Sequence, residues 1–203
     1  SKRVYVDETF ASAGLTKQRG RYPQGKKKAT PQNRKYPRMV ISGAIRKTGF
    51  IRPSEIYNKG SITSTDFENY VKKKLCPLLS KGDVVLWDRY GRSGRANNPT
   101  AYHFSPKAKA DIEARGATLM MLPRYGKYFD PIEMVFGDTK KIYQKKIRKK
   151  IETVPASKIP FAEKVKFWKD AERELNPKCF ERAFKERASG NEFVKVYKKR
   201  GLL

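Results

Sequence analysis

The stretch DVVLWDR, residues 83–89, sets four apolar side chains in a row, Val84 to Trp87, between charged ones. A run this short and this uniformly apolar fits a strand buried on both faces, in the middle of a sheet. The segments around it say what kind of sheet. Upstream, STDFENYVKKKLCPLL (64–79) spaces its apolar residues for a helix capped by Ser64 or Thr65. Downstream, past a Gly/Arg/Asn-rich loop, SPKAKADIEARG (105–116) is a helix with Ser105 as cap, Pro106 first and Gly116 as stop. ATLMMLPR (117–124) then reads as another buried strand, and a helix begins at Asp130-Pro131. Nearer the start, RVYVDETF (3–10) alternates Val4 and Val6 against Tyr5 and Asp7. RMVISGAI (38–45) and GFIRPSEIY (49–57) form a hairpin joined through Arg46-Lys47-Thr48-Gly49. The order β-β-β-α-β-α-β-α predicts a mixed α/β sheet covered by helices.

At 203 residues the chain suits one such domain over 1–150, with a basic helical extension and tail over 151–203. Its 47 Lys and Arg against 20 Asp and Glu leave a net charge of +27, which points to a polyanionic partner, nucleic acid before a membrane surface. No segment is apolar for long enough to span a bilayer. Cys76 and Cys179 are too far apart in sequence to suggest a zinc site or a disulfide framework. His103 is the sole histidine, so a site built on several imidazoles is excluded and any metal must be held by carboxylates, which suits Mg²⁺ or Mn²⁺.

Three carboxylates stand at informative places. Asp7 lies in the first strand, Asp88 at the end of the central strand, and Glu133 in the first turn of the helix after Asp130. Each has an ordinary reading. Asp7 and Asp88 can be strand-end residues, while Asp130, Pro131 and Glu133 fit the N-cap, first and third positions of a capping box. Together they fit something else. If the strands of Asp7 and Asp88 are neighbours, both side chains converge at one end of the sheet, and the helix start delivers Glu133 to the same point. Carboxylates so gathered hold two divalent ions roughly 3.5–4 Å apart, the arrangement used in phosphodiester chemistry. Alternation puts Glu8 on the opposite face from Asp7. The trio predicts Glu133 turned toward Asp7 and Asp88, with Asp130 capping alone.

The motifs YVDETF, VVLWDR and LPRYGKYFDPIEMVF resemble the three acidic motifs of the Tc1/mariner and IS630-like transposases, DDE enzymes with a ribonuclease-H-like fold. The third family motif reads roughly Leu-Pro-Pro-Tyr-Ser-Pro-x-Leu-Asn-Pro-Ile-Glu-x-x-Trp. Leu122, Pro123, Tyr125, Pro131, Ile132 and Glu133 keep its register without a gap, with Phe136 at the tryptophan position. The resemblance covers about residues 3–145. It implies that Asp7, Asp88 and Glu133 are catalytic metal ligands for two Mg²⁺ or Mn²⁺ ions, that DNA is the substrate, and that the chain acts in a nucleus or bacterial cytoplasm. It also allows a homodimer on DNA. The chain departs from the family in two ways. Arg89-Tyr90 follow Asp88 where the family has Asn-Ala with a histidine close behind, and 44 residues separate Asp88 from Glu133, more than is common. Helix-turn-helix modules precede the first catalytic strand in family members, and this sequence opens almost on that strand. It therefore reads as a catalytic fragment, or as the fold put to another use.

The basic segments suit phosphate contact. From Lys17 to Arg52 there are twelve Lys/Arg and no acid, and Arg19, Arg21, Lys26, Lys27 and Lys28 sit in a Gly-containing loop that allows close backbone approach. Arg92, Arg95, Arg124 and Lys127 flank the second and third motifs. Seven of the eleven residues from Lys140 to Lys150 are basic, Lys145 and Lys146 among them, with no acid inside the run to pair them. The alternative reading is a non-catalytic descendant of the fold acting as a structural RNA- or DNA-binding protein in a ribosome-like particle, for example in a mitochondrion.

Overall fold

The computed structural model describes residues 2–13, 38–87, 105–122, 126–188 and 198–199. Among these residues five strands form one sheet: β1 (Arg3–Ser12), β2 (Arg38–Arg46), β3 (Gly49–Tyr57), β4 (Val84–Trp87) and β5 (Thr118–Met121), in the order β3-β2-β1-β4-β5. β1 to β3 run antiparallel as a meander; β4 joins β1, and β5 joins β4, in parallel. The parallel pairs require crossovers. α1 (Ser64–Tyr70) and α2 (Pro106–Glu113) supply them, and α3 (Pro131–Ile151) follows β5. This is the expected mixed sheet.

Three details differ from the sequence reading. The cap of α1 is Thr63, whose hydroxyl accepts from the Asp66 amide at 3.2 Å while the Asp66 carboxylate accepts from the Thr63 amide at 2.8 Å, a reciprocal box. The helix also loosens into a π turn over Val71–Leu75 and closes as a 3₁₀ turn over Cys76–Leu78, because Pro77 has no amide to continue the α-helical ladder. β5 is the sheet edge rather than an interior strand, and Thr118 and Met120 are exposed on it.

The sheet separates two apolar layers. Val4, Val6, Val85 and Trp87 face α1 and α2, where Phe67, Tyr70, Val71, Ala108 and Ile112 pack. Tyr5, Ile41 and Ile45 face the other way, onto Ile132, Phe136, Tyr143 and Ile147 of α3. α4 (Phe161–Glu174) and α5 (Pro177–Arg187), in the stretch expected to be an extension, belong to this second layer, with Trp168, Phe180 and Phe184 in one cluster with α3. Trp168 Nε1 and Ser54 Oγ each donate to the buried Glu172 carboxylate at 2.7 Å, which ties α4 to β3 through a satisfied polar group. No described helix is long and apolar enough to cross a membrane.

Candidate active site

The site starts from β1. Its last parallel pair is Val6 with Trp87, and Asp7, the next residue, pairs with Gly43 of β2. Tyr5 faces the α3 layer while Val4 and Val6 face the other, so the pleat puts Asp7 on the α3 side and Glu8 opposite, as alternation predicts. Asp88 lies outside the described residues. So do Arg19, Arg21, Lys26, Lys27, Lys28, Arg92, Arg95, His103, Arg124 and Tyr125.

α3 brings the second carboxylate. Asp130, fully buried, caps the helix by accepting from the Ile132 amide at 3.1 Å, with Pro131 as the first helical residue. Glu133, in the first turn, is exposed. The helix rests so close to the sheet that a Cβ on Gly43 would lie 3.2 Å from Phe136 Cζ. A bare backbone opposite Asp7 is what lets the head of α3 come in. The electrostatics record the convergence. Burial, then the Asp130 carboxylate, then the Glu133 carboxylate, hold the Asp7 carboxyl well above the usual carboxylate range. Such mutual repulsion is what a bound cation relieves, so this pair suits a divalent ion. Among the described residues no three carboxylate, thiol or imidazole groups are arranged so that they could hold a metal ion.

One residue of the site is not evident in its sequence setting. Lys140 is half-buried, and burial lowers its ammonium pKa while Glu133 and Asp7 oppose that shift, which places it near both. The rest of the basic run is divided. Lys141 pairs with Asp138 at 2.7 Å, Lys146 with Glu174 at 2.6 Å and Lys150 with Glu163 at 2.8 Å. The missing acids come from α4 and from just ahead of the run. Lys145, Arg148 and Lys149 remain exposed, without an ion pair among the described residues. Lys127 belongs to the 3₁₀ turn Gly126–Tyr128.

α5 closes the site from behind. Arg187 Nη1 donates to the Tyr128 carbonyl at 3.2 Å, Arg3 Nη1 donates to the Ala188 carbonyl at 3.3 Å, and Tyr5 meets Phe184 edge to face at 5.3 Å. The turn leading into α3 and the start of β1 are thus both bound to the C-terminal helices.

A family model, described as DDE superfamily endonuclease, matches residues 2–154. The chain belongs to that family. α4 and α5 lie beyond the matched segment. Among solved structures, the Mos1 strand transfer complex matches with a TM-score of 0.63 at 14% identity, over 92% of this chain and 51% of that one. The Mos1 mariner paired end complex with Mn matches at 0.61 and 14%, over 98% and 55%. The catalytic domain of Mos1 mariner transposase matches at 0.55 and 10%, over 98% and 82%. The chain therefore spans about half the length of the Mos1 chains in the complexes, and its fold is the ribonuclease-H-like fold of their catalytic domain. No curated protein sequence matches it.

Proposed function

We propose that this DDE endonuclease domain is the catalytic domain of a Tc1/mariner–IS630-type transposase, cutting DNA at a transposon end and joining the freed 3′-hydroxyl to target DNA. The observation that supports the reading is the seating of α3, with Glu133 in its first turn, against Gly43, the register partner of Asp7 on β1. Asp88 is the third ligand in this proposal. It follows Trp87 directly in the chain, as Asp7 follows Val6, and those two predecessors are register partners. Asp7, Asp88 and Glu133 would hold two Mg²⁺ or Mn²⁺ ions, which supply activation of the attacking oxygen and stabilisation of the leaving one. The Mos1 structures, one with Mn and one a strand transfer complex, support the same chemistry here.

The protein's own parts have distinct tasks in that reaction. Asp130 fixes the helix start, so Glu133 keeps a set position without spending its carboxylate on the cap. Gly43 sets the distance between helix and sheet. The raised Asp7 carboxyl must lose its proton before it can ligate, so cation affinity falls on acidification. Lys145, Arg148 and Lys149 present exposed positive charge along α3 for a DNA backbone.

The test is a pair of variants. Glu133→Gln removes a ligand charge and leaves the helix start intact, so Mg²⁺-dependent nicking of duplex DNA should disappear with the melting temperature unchanged. Asp130→Ala removes the cap, costing about 0.5–2 kcal/mol of stability, with some cleavage retained. Wild-type cleavage by Glu133→Gln returns that residue to a helix-terminus role. A wild-type chain that binds nucleic acid but cuts none with Mg²⁺ or Mn²⁺ is instead a structural nucleic-acid-binding protein.

A further inference from the structure

Gly137 lies inside α3, where glycine costs about 1 kcal/mol relative to alanine. Packing among the described residues does not require it: a Cβ there meets none of them within 4 Å. This is the opposite of Gly43, whose Cβ would meet Phe136. Gly137 is four positions after Glu133 and three before Lys140, so all three lie along one stripe of the helix. The stripe reads carboxylate, bare backbone, ammonium. Side chains on a helix lean toward its N-terminus, which aims Lys140 back toward the gap and the acidic end. Lys140 feels Glu133 and Asp7 yet makes no ion pair among the described residues, whereas Lys141 next to it pairs with Asp138. A half-buried ammonium unmatched by a close acid, beside an open strip of helix backbone, is set up for an anion arriving from outside.

We propose that Gly137 and Lys140 form a seat for one backbone phosphate of the DNA strand being cut, with Gly137 giving clearance and Lys140 the charge. The inference rests on the reading of the chain as a metal-dependent DNA nuclease and adds a substrate contact to it. The strand lies across α3 about one to two turns beyond Glu133, so the flanking phosphate is held by the same helix that carries the catalytic carboxylate. A shift of that helix then moves ligand and substrate together.

The experiment measures binding of a short fluorescein-labelled duplex by the whole chain in Ca²⁺, which supports binding without turnover, across a salt series. Nicking in Mg²⁺ and melting temperature are followed in parallel. Lys140→Gln should weaken binding roughly 3- to 10-fold and reduce the log–log salt slope by about 0.9, the value for one duplex phosphate contact. Lys140→Arg should recover most of the slope. Gly137→Gln adds a good helix former and removes no charge. It should match the affinity and slope loss of Lys140→Gln at an unchanged or higher melting temperature. The double variant should be no worse than either single one, since both remove the same contact. Lys107→Gln, on α2 across the sheet, controls for general loss of positive charge.

Lys140→Gln that loses stability with affinity and slope intact shows a lysine that only balances the carboxylates, and overturns the seat. Additive losses, or a Gly137→Gln variant with wild-type affinity, overturn it as well. Binding that behaves as expected in a chain that never nicks DNA leaves the seat standing and removes the nuclease. Normal nicking by Lys140→Gln and Gly137→Gln removes the seat and leaves the nuclease.

Discussion

Gly43→Ala probes how the site is assembled. The added methyl would sit 3.2 and 3.3 Å from two ring carbons of Phe136 and 3.5 Å from Ser54 Oγ, where ordinary contacts lie nearer 3.5–4.0 Å. Phe136 is fully buried and stacked near Phe50 and Trp168, at centroid distances of 6.4 and 6.3 Å, so its ring has little room to swing. The relief available is for α3 to rise from the sheet by a few tenths of an ångström. Overpacking of this size costs about 1–3 kcal/mol. Against that, replacing a strand glycine restricts the unfolded chain and returns about 0.4–1 kcal/mol. The net expectation is a loss of about 1–2 kcal/mol, or roughly 2–8 °C in melting temperature for a chain of this size. Cleavage should fall further than stability does, since Glu133 rides on the displaced helix and small misplacements cost up to about 100-fold in rate. Thermal melts and Mg²⁺-dependent nicking read the two effects. A double-mutant cycle with Phe136→Leu separates strain from general weakening: the second change, harmful alone, should cost less in the Gly43→Ala background. A Gly43→Ala chain as stable and as active as wild type would mean that helix and sheet are not in contact at this point, and the account of the site's spacing would fail.

Two more predictions follow from the charged groups. Asp7 has a raised carboxyl, so its ionisation opposes folding: the stability lost as pH climbs through its folded-state value is regained by Asp7→Asn, which should melt higher than wild type at neutral pH in EDTA while cutting no DNA. An unchanged or lower melting temperature refutes the repulsion. Asp83 is the opposite case, held below the usual range chiefly by hydrogen bonds from Arg46, at 2.8 Å to each carboxylate oxygen. Its contribution is present at neutral pH and lost as pH falls through its folded-state value. Asp83→Asn should cost about 1.5–3 kcal/mol at pH 7 and much less in acid, measured by urea unfolding at both pH values.

The sheet was legible because its strands carry local signals: alternation in β1, turn residues in the hairpin, an apolar run in β4. β5 misleads because Ala117 to Leu122 is as apolar as β4, and only the strand order makes it an edge. The α1 cap was legible only in part. The box pattern alone could not decide it: Thr63 has Asp66 three residues on and Thr65 has Glu68, and only the fold shows Asp66 closing the box while Glu68 accepts from Ser105 Oγ. The separated carboxylates could be paired by element order alone, but the spacing set by Gly43 and Phe136 is a contact across 93 residues and leaves no local trace. The basic run of α3 looked unpaired because the acids that meet Lys146 and Lys150 sit on another helix. Local charge counting has no access to such partners.

The hold that α5 keeps on Tyr128 and on the start of β1 gives the order of synthesis a meaning. A ribosome releases the acidic residues first and Arg187 later, with 53 residues between Glu133 and Arg187. At about 5–20 residues per second, roughly 3–11 s pass between the two. During that interval a nascent chain owns its carboxylates but not the brace that fixes the turn beside them. Premature termination anywhere ahead of α5 leaves the same state permanently. The brace is therefore among the last contacts of this region to be made, and the turn ahead of α3 stays untied from the C-terminal helices until α5 has been synthesised.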